Sequence, residues 1–518
     1  MKKERSAGKT MILTAGFMAA ATLLSKVLGL IRDSMLTAYF GSGMESDAFL
    51  TASTIPTTLF DVVIGGVISA TFIPVFNDLM EKRGKKAAMD FVNKFVTLVL
   101  LASVIITVLG ILISSPLVSL QAPNYDAQKH VLASQLTSIM FPMVIFTGLA
   151  FSFVGLLQSF GEYNVPSIIS LVSNAAIILY YKKKRKKFGI YGLAVTMVIA
   201  WSLQFFIQLP WLKKLGVRYR PDFHFKDPSV KQAIMLAGPM LISTWVQPLY
   251  TLVNQRLASS VPSAVTYIQQ SSRLYIIVTG VFSFVVTNLV FPKLSQAVAR
   301  KDEKEAASLI VTSMKSIFLV ILPIMAMFLV MARPISNIMY GYGKMDETGV
   351  FEISRLLQLY SLGMLALAAN EVLSKAFFSM QDSKPPMRNS VISMVVNIIL
   401  AYILYNYMST RGLALATVGG SVVNALLNYI CMVKKYPELF GKKDKISIIK
   451  IVVCGIVMYA VLAVVFRITG RIFDMSGIIG SFMVCAVSGI CGAAVYIAAC
   501  LVMKIDVFME MINNFRRR

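Results

Sequence analysis

An all-α polytopic membrane protein is what this sequence specifies, on three observations. Of 518 residues, 57% are apolar and only 14% charged, against about a quarter charged in an average soluble protein. The mean hydropathy is +0.71. Apolar windows of about twenty residues, enough to cross roughly 30 Å of hydrocarbon, recur from end to end. An ordinary soluble enzyme is excluded.

The windows begin near residues 11, 47, 90, 131, 165, 189, 231, 264, 306, 351, 386, 411, 447 and 475, predicting fourteen transmembrane helices. The first follows a basic start without a small-residue cleavage site and is read as a retained helix. An even count puts both termini on one side. Lys2, Lys3, Arg5, Lys9 and Arg516 to Arg518 assign that side to the cytoplasm, because cytoplasmic loops collect Lys and Arg. Lys82, Arg83, Lys85 and Lys86 after span two, Lys213, Lys214, Arg218 and Arg220 after span six, and Lys442, Lys443 and Lys445 after span twelve agree. The run Lys182 to Lys187 between spans five and six does not. Either a span is miscounted or the protein carries an external basic turn, and the internal repeat favours the turn.

That repeat appears at an offset near 218. Phe72-Ile73-Pro74, followed by basic Lys82 to Lys86, lies over Val290-Phe291-Pro292, followed by Arg300 to Lys304. At about 220, the polar turn Gln158 to Pro166 lies over Phe378 to Pro386. Six helices per copy is an even number, so the copies share one membrane orientation. The plan is a six-helix bundle over residues 1–225, a second over 226–440, and two additional helices with a short basic tail over 441–518. Two parallel repeats around a central cavity are the architecture of an alternating-access transporter. Breakers gather in the spans expected to line it: Pro56, Gly65 and Gly66 in span two, Pro142 in span four, Pro239 and Pro248 in span seven.

Fifty Lys plus Arg against 25 Asp plus Glu give a formal charge of +25. In this setting the excess reads as topology and attraction to membrane lipids, not nucleic-acid binding. Cys431, Cys454, Cys485, Cys491 and Cys500 lack metal-ligand spacing and read as packing residues. His130 and His224 lie far apart in polar connections, so neither a metal site nor a catalytic dyad is expected.

A charge at membrane depth costs at least about 2.5–3.5 kcal/mol on insertion scales and tends to face a cavity. Lys26 lies within span one, with Arg32 and Asp33 at its outer end. Lys26 and Arg32, six residues apart, differ by about 120° around the helix and roughly 9 Å along it. In span eight, Gln269-Gln270-Ser271-Ser272 leads to Arg273, whose guanidinium suits a bidentate grip on phosphate oxygens. Arg256 is read as an interfacial anchor. Asp61, Lys315, Glu371 and Lys375 are candidates for cavity or pairing roles, the last two being able to pair at i,i+4. Basic residues predominate, so the expected cavity is cationic and takes an anion. No Gly-rich phosphate loop or sizeable soluble domain provides for ATP hydrolysis. No cofactor is expected; a coupling ion, the membrane potential or substrate supply provides the energy. Moving an anionic headgroup outward is favoured by about 2.3 kcal/mol per charge per 100 mV.

The stretch Ser25-Lys26-Val27-Leu28-Gly29-Leu30-Ile31-Arg32-Asp33, then Phe40-Gly41-Ser42-Gly43, Asp47-Ala48-Phe49 and Ala70-Thr71-Phe72-Ile73-Pro74-Val75-Phe76, resembles the MurJ (MviN) family of lipid II flippases in the MOP exporter superfamily. Ser272-Arg273-Leu274, Phe291-Pro292-Lys293-Leu294-Ser295, Tyr342-Gly343-Lys344 and Gln381-Asp382-Ser383-Lys384-Pro385-Pro386 extend the resemblance along the chain.

The resemblance implies export of an undecaprenyl-pyrophosphate-linked disaccharide pentapeptide from the inner to the outer leaflet of a bacterial cytoplasmic membrane. It places family cavity arginines at Lys26, Arg32 and Arg273, and family acids at Asp33 and Asp47. It departs in span two, where Phe60, beside Asp61, stands in place of an arginine found in many members, and Gly65 in place of a glutamate. The coupling sodium it implies would fall near Asn254 and Asn397; H+ is the alternative coupling ion. The same charges suit a flippase for another polyprenyl-linked glycan, a teichoic acid or capsule repeat unit. A scaffold for cell-wall synthesis proteins, docked on the basic loops, is the reading from another class. A cation antiporter would need more carboxylates than Asp61 and Glu371.

Overall fold

A computed structural model describes residues 2–61, 71–183, 185–437 and 439–516. It excludes from description the side chains of 2–15, 236–247, 284–289, 292 and 514–516. Every apolar window falls on a helix or a bent helix pair, and no strand occurs among the described residues. In order these are α1 (Lys2–Phe40), α2 (Met44–Phe60), α3 (Ile73–Leu112), α4 (Ser114–Gln121), α5 (Ala127–Met140), α6 (Met143–Ser159), α7 (Asn164–Lys183), α8 (Arg185–Phe206), α9 (Leu209–Lys214) and α10 (Pro228–Ala258). There follow α11 (Ala264–Ala299), α12 (Glu303–Tyr340), α13 (Glu347–Ser361), α14 (Met364–Ser379), α15 (Lys384–Met408), α16 (Thr410–Lys435), α17 (Lys442–Ile472), α18 (Ile478–Val502) and α19 (Asp506–Arg516). Among the described residues eight helices are long and apolar enough to cross a membrane, or ten if α5–α6 and α13–α14 each count as one bent span.

The chain divides into two units, Met1–Val265 and Thr266–Arg518. In the first, α1 packs along α7, α7 on α8, α8 on α6, α6 on α3, and α2 on α5. Its aromatic core joins Phe72 to Phe76, Phe91 and Phe95 at ring separations of 5.9, 5.7 and 5.2 Å. The apolar motif around Phe72 is therefore packing. In the second, α15 packs on α16, and α12 on α13, α14, α17 and α18. Leu319, Leu322 and Ala326 of α12 bury against Cys454, Met458 and Leu462 of α17 and Tyr496 and Cys500 of α18. Cys454 and Cys500 thus pack, and all five cysteines are free.

The repeat is visible in backbone detail at an offset of 220. Asp126 caps α5 by accepting from the Lys129 amide at 2.9 Å, and Asp346 caps α13 by accepting from the Gly349 amide at 3.1 Å. Pro142 coincides with the break between α5 and α6, bent by 40°, and the α13–α14 pair is bent by 48° at the corresponding place. The turn ending α6 puts Gly161 at φ 79°, and the turn ending α14 puts Gln381 at φ 56°. Of the remaining breakers, Pro56 is buried inside α2, α10 runs through Pro239 and Pro248, and Gly65 and Gly66 lie outside the described residues.

Candidate functional site

The first unit holds Lys26, Arg32, Asp33, Asp47, Asp61 and Asn254; the second holds Arg273, Glu371 and Asn397. On α1, Lys26 is half-buried and one face is apolar, as a membrane span requires. Arg32 and Asp33 form the best-defined cluster, with side chains 15% exposed each. Arg32 donates from Nε and Nη2 to Oδ1 of Asp33 at 2.9 and 2.8 Å. Its Nη1 donates to Oδ1 of Asn174 on α7 at 3.1 Å. The Asn174 amide in turn donates to the Ser25 carbonyl at 3.1 Å, tying the cluster to the helix backbone that bears Lys26. The guanidinium is thus aligned by one charged and one neutral acceptor. Asn174 carries no charge and so does not stand out in the sequence; a carboxamide near the middle of span five is the available signal.

Asp47 is fully buried near the start of α2, where Lys129 of α5 donates to its Oδ2 at 2.6 Å. The Lys129 ammonium also sits 4.3 Å from the centre of the Tyr125 ring, and the Tyr125 hydroxyl lies 2.7 Å from the Thr51 hydroxyl. Lys129, just ahead of the fourth apolar window, was not singled out from the sequence. Asp61 is exposed at the end of α2. Phe60 beside it is buried and lies 5.9 Å from Phe151 between ring centres, so that position is apolar packing in this chain. Asn254 is buried in α10. Next to it, Gln255 accepts from the Gln121 amide and donates to Thr54 at 3.3 Å, and Arg256 donates to the Leu120 carbonyl at 2.7 Å, tying the end of α10 to α4.

In the second unit Arg273 is exposed on α11, one turn beyond buried Gln270. Glu371 and Lys375 are both exposed on α14 and form no ion pair among the described residues, so the i,i+4 pairing is not made. Asn397 is buried against Gly420 of α16, and its Oδ1 accepts no hydrogen bond. Lys315 takes a pairing role: it donates to Asp444 at 2.9 Å and Asp506 at 2.5 Å, and Asp506 also accepts from the Ser447 hydroxyl at 2.6 Å. A polar chain that sequence reading missed runs from Asn389 through Asn428 to Asn370, with separations of 2.8 and 2.6 Å. Among the described residues no group of three His, Cys, Asp or Glu is placed to hold a metal ion.

The family model for lipid II flippase MurJ matches residues 36–486. A probable lipid II flippase MurJ of Buchnera aphidicola subsp. Acyrthosiphon pisum is 25% identical over 449 residues, covering 86% of this chain and 88% of that protein. Lipid II flippase MurJ of Burkholderia cenocepacia is 27% identical over 436 residues, covering 82% and 84%. Among solved structures, a lipid II flippase MurJ in an inward closed conformation superposes with a TM-score of 0.79 at 20% identity, covering 93% of this chain and 99% of that one. An inward-facing multidrug resistance MATE family transporter of the MOP superfamily gives 0.67 at 15% identity, covering 80% and 95%.

Proposed function

The chain belongs to the MurJ family of lipid II flippases, and from that premise we propose that it moves lipid II, the lipid-linked peptidoglycan precursor, from the inner to the outer leaflet of a bacterial cytoplasmic membrane. The family match over residues 36–486 carries this reading. Lys26, Arg32 and Arg273 bind the pyrophosphate in turn as the headgroup crosses by alternating access. Arg32 is preset for that task. Its fork is already oriented by Asp33 and Asn174, and a phosphate oxygen replaces Asn174 at Nη1 without leaving a buried charge unpaired. Asp33 and Asp47 act by holding cations in place, and the lipid tail stays in the bilayer.

With both termini cytoplasmic and the inside negative, outward movement of the anionic head is favoured by about 2.3 kcal/mol per charge per 100 mV. The membrane potential, substrate supply or a coupling ion provides the energy, with Na+ held by the carboxamide oxygens of Asn254 and Asn397 or H+ carried by Asp61 or Glu371. Depletion of the protein in its own host tests the reading: lipid II is expected to accumulate in the inner leaflet. Accumulation of a different polyprenyl-linked glycan would reassign the substrate. A Lys26→Ala/Arg273→Ala double variant, present at normal levels, is expected not to restore growth. Unimpaired growth would overturn the cationic path and favour a scaffold.

A further inference from the structure

Lys182, Lys183, Arg185, Lys186 and Lys187 form a basic turn that the transport reading does not use. The described part of α7 runs through Lys183, and the backbone leaves helical geometry at Gly189 (φ 55°, ψ −146°), two residues past Lys187, so the cations lie just ahead of that reversal. The four described lysines are exposed, whereas Arg185 is half-buried with its guanidinium 3.8 Å from the centre of the Tyr39 ring. Tyr39 in turn stacks on Tyr181 at 5.5 Å. No ion pair involves these five cations among the described residues.

The geometry separates this run from the other basic loops of the first unit. Lys85 lies 5.8 Å from the centre of the Phe160 ring, which leads directly into the N-terminal end of α7, and it donates to the Leu215 carbonyl at 3.3 Å. Lys82 to Lys86 and Lys213 to Arg218 therefore mark one end of α7, and Lys182 to Lys187 the other. Twenty helical residues separate the two ends, a length of about 30 Å, the thickness of the hydrocarbon core. No recount of spans can place both clusters in the cytoplasm. Asn174 touches Ser25 and Arg32, and Tyr181 meets Tyr39 and Phe40, so α7 runs parallel to α1. The turn thus lies at the C-terminal end of α1, across the membrane from the basic N-terminus.

With the chain reversing at Gly189, two residues past Lys187, the cations stay at the headgroup layer. Leu179, Phe188 and Tyr191 flank the cations and are 53%, 50% and 44% exposed, which is the composition of a helix end at the lipid interface. A cluster of unneutralised lysines at that depth is complementary to phosphodiester anions. We propose that the turn formed by Lys182, Lys183, Arg185, Lys186 and Lys187 is a binding site for anionic phospholipid headgroups of the outer leaflet.

The full-length protein is reconstituted in phosphatidylcholine bilayers containing a minority of photo-crosslinkable phosphatidylglycerol, and crosslinked peptides are mapped. Crosslinks are expected at residues 179–191. They should fall about tenfold in Lys182→Gln/Lys183→Gln/Lys186→Gln/Lys187→Gln, which keeps Arg185 on Tyr39, and persist in the matching Lys→Arg variant. Equal labelling by a phosphatidylcholine probe, equal labelling of the Gln variant, or displacement by inorganic phosphate but not by chloride at equal ionic strength would overturn the proposal. Sidedness is read separately with Lys186→Cys. Reaction with an impermeant maleimide in intact cells is expected, and reaction only after permeabilisation would overturn the outer-leaflet assignment.

Discussion

Asn174 holds Arg32: the carboxamide oxygen on α7 accepts from the guanidinium on α1 at 3.1 Å, while its amide donates to the Ser25 carbonyl at the same distance. One neutral side chain thus sets both the rotamer of a membrane-depth cation and the register of two parallel helices. A hydrogen bond to a charged group contributes about 1.5–3 kcal/mol. Asn174→Leu is therefore expected to lower lipid II transport by about tenfold or more at unchanged protein level. Asn174→Asp is expected to impair it as well, by holding Arg32 too tightly. Transport by both variants at wild-type rates would remove Asn174 from the path.

The Asp47–Lys129 pair joins α2 to α5 with both charges buried. Breaking such a pair from one side is more damaging than replacing both partners, because the survivor remains charged and dry. Lys129→Met is expected to destabilise the protein by about 3–5 kcal/mol. Asp47→Leu combined with Lys129→Met should recover much of that loss. Thermal unfolding in detergent measures both, and a double variant less stable than either single one would contradict the account.

The helices were legible because bilayer thickness imposes a length and an apolarity that any window count detects. The repeat was legible because the same turns recur in sequence. Interactions of neutral polar residues were not. Asn174, Asn389 and Asn428 lie within apolar windows with no sequence feature that marks a partner, and only three-dimensional packing reveals that their carboxamides face other helices. Lys129 was missed for a related reason: a lysine near a helix start usually faces water, whereas here Asp47 draws it inward. Glu371 and Lys375 illustrate the opposite error, since helical spacing permits a pair that exposed side chains have little reason to form.

Lys315 ties three helices together, bonding Asp444 at the start of α17 and Asp506 at the start of α19. Burial raises the Asp506 carboxyl, but hydrogen bonds from Lys315 and Ser447 outweigh it and hold the group below the usual carboxylate range. Lys315→Met is expected to accelerate amide hydrogen exchange in α19 and the first turn of α17, with little change in α15 and α16. Uniform acceleration across the second unit would mean that Lys315 supports the whole bundle instead.

Asp227, the cap of α10, accepts from the Ser229 amide at 2.9 Å and from Lys94 of α3 at 2.6 Å. Burial raises its pKa, but the hydrogen bonds from Lys94 and Ser229 prevail and lower it to about 2. The folded value lies below that of an unfolded aspartate, about 3.9, so the stabilisation is complete above that pH. It is lost as pH falls from about 4 toward about 2. In this interval the melting temperature of wild type should approach that of Asp227→Asn, while at neutral pH the variant should melt lower. Parallel acid profiles would exclude Asp227 as the responsible group.

The most specific consequence of the repeat concerns a serine. Ser409, between α15 and α16, has φ 52° and ψ −132°. Its counterpart 220 residues earlier is Gly189, at the kink near the start of α8, with φ 55° and ψ −146°. This region is populated almost only by glycine, since a Cβ there clashes with the backbone, at about 1–3 kcal/mol. The first copy meets the demand with the residue that tolerates it; the second adopts the same turn at a strain. The turn is retained because Gly412 brings α16 against the Leu404 carbonyl, an approach that fixes the chain path around Ser409. Ser409→Gly is therefore expected to stabilise the protein by about 1 kcal/mol, after the greater unfolded-state freedom of glycine is subtracted. The reverse exchange, Gly189→Ser, should destabilise by a similar amount. Thermal melts of the two variants decide the matter: shifts of opposite sign are required, and a lower melting temperature for Ser409→Gly would show that the serine is not strained.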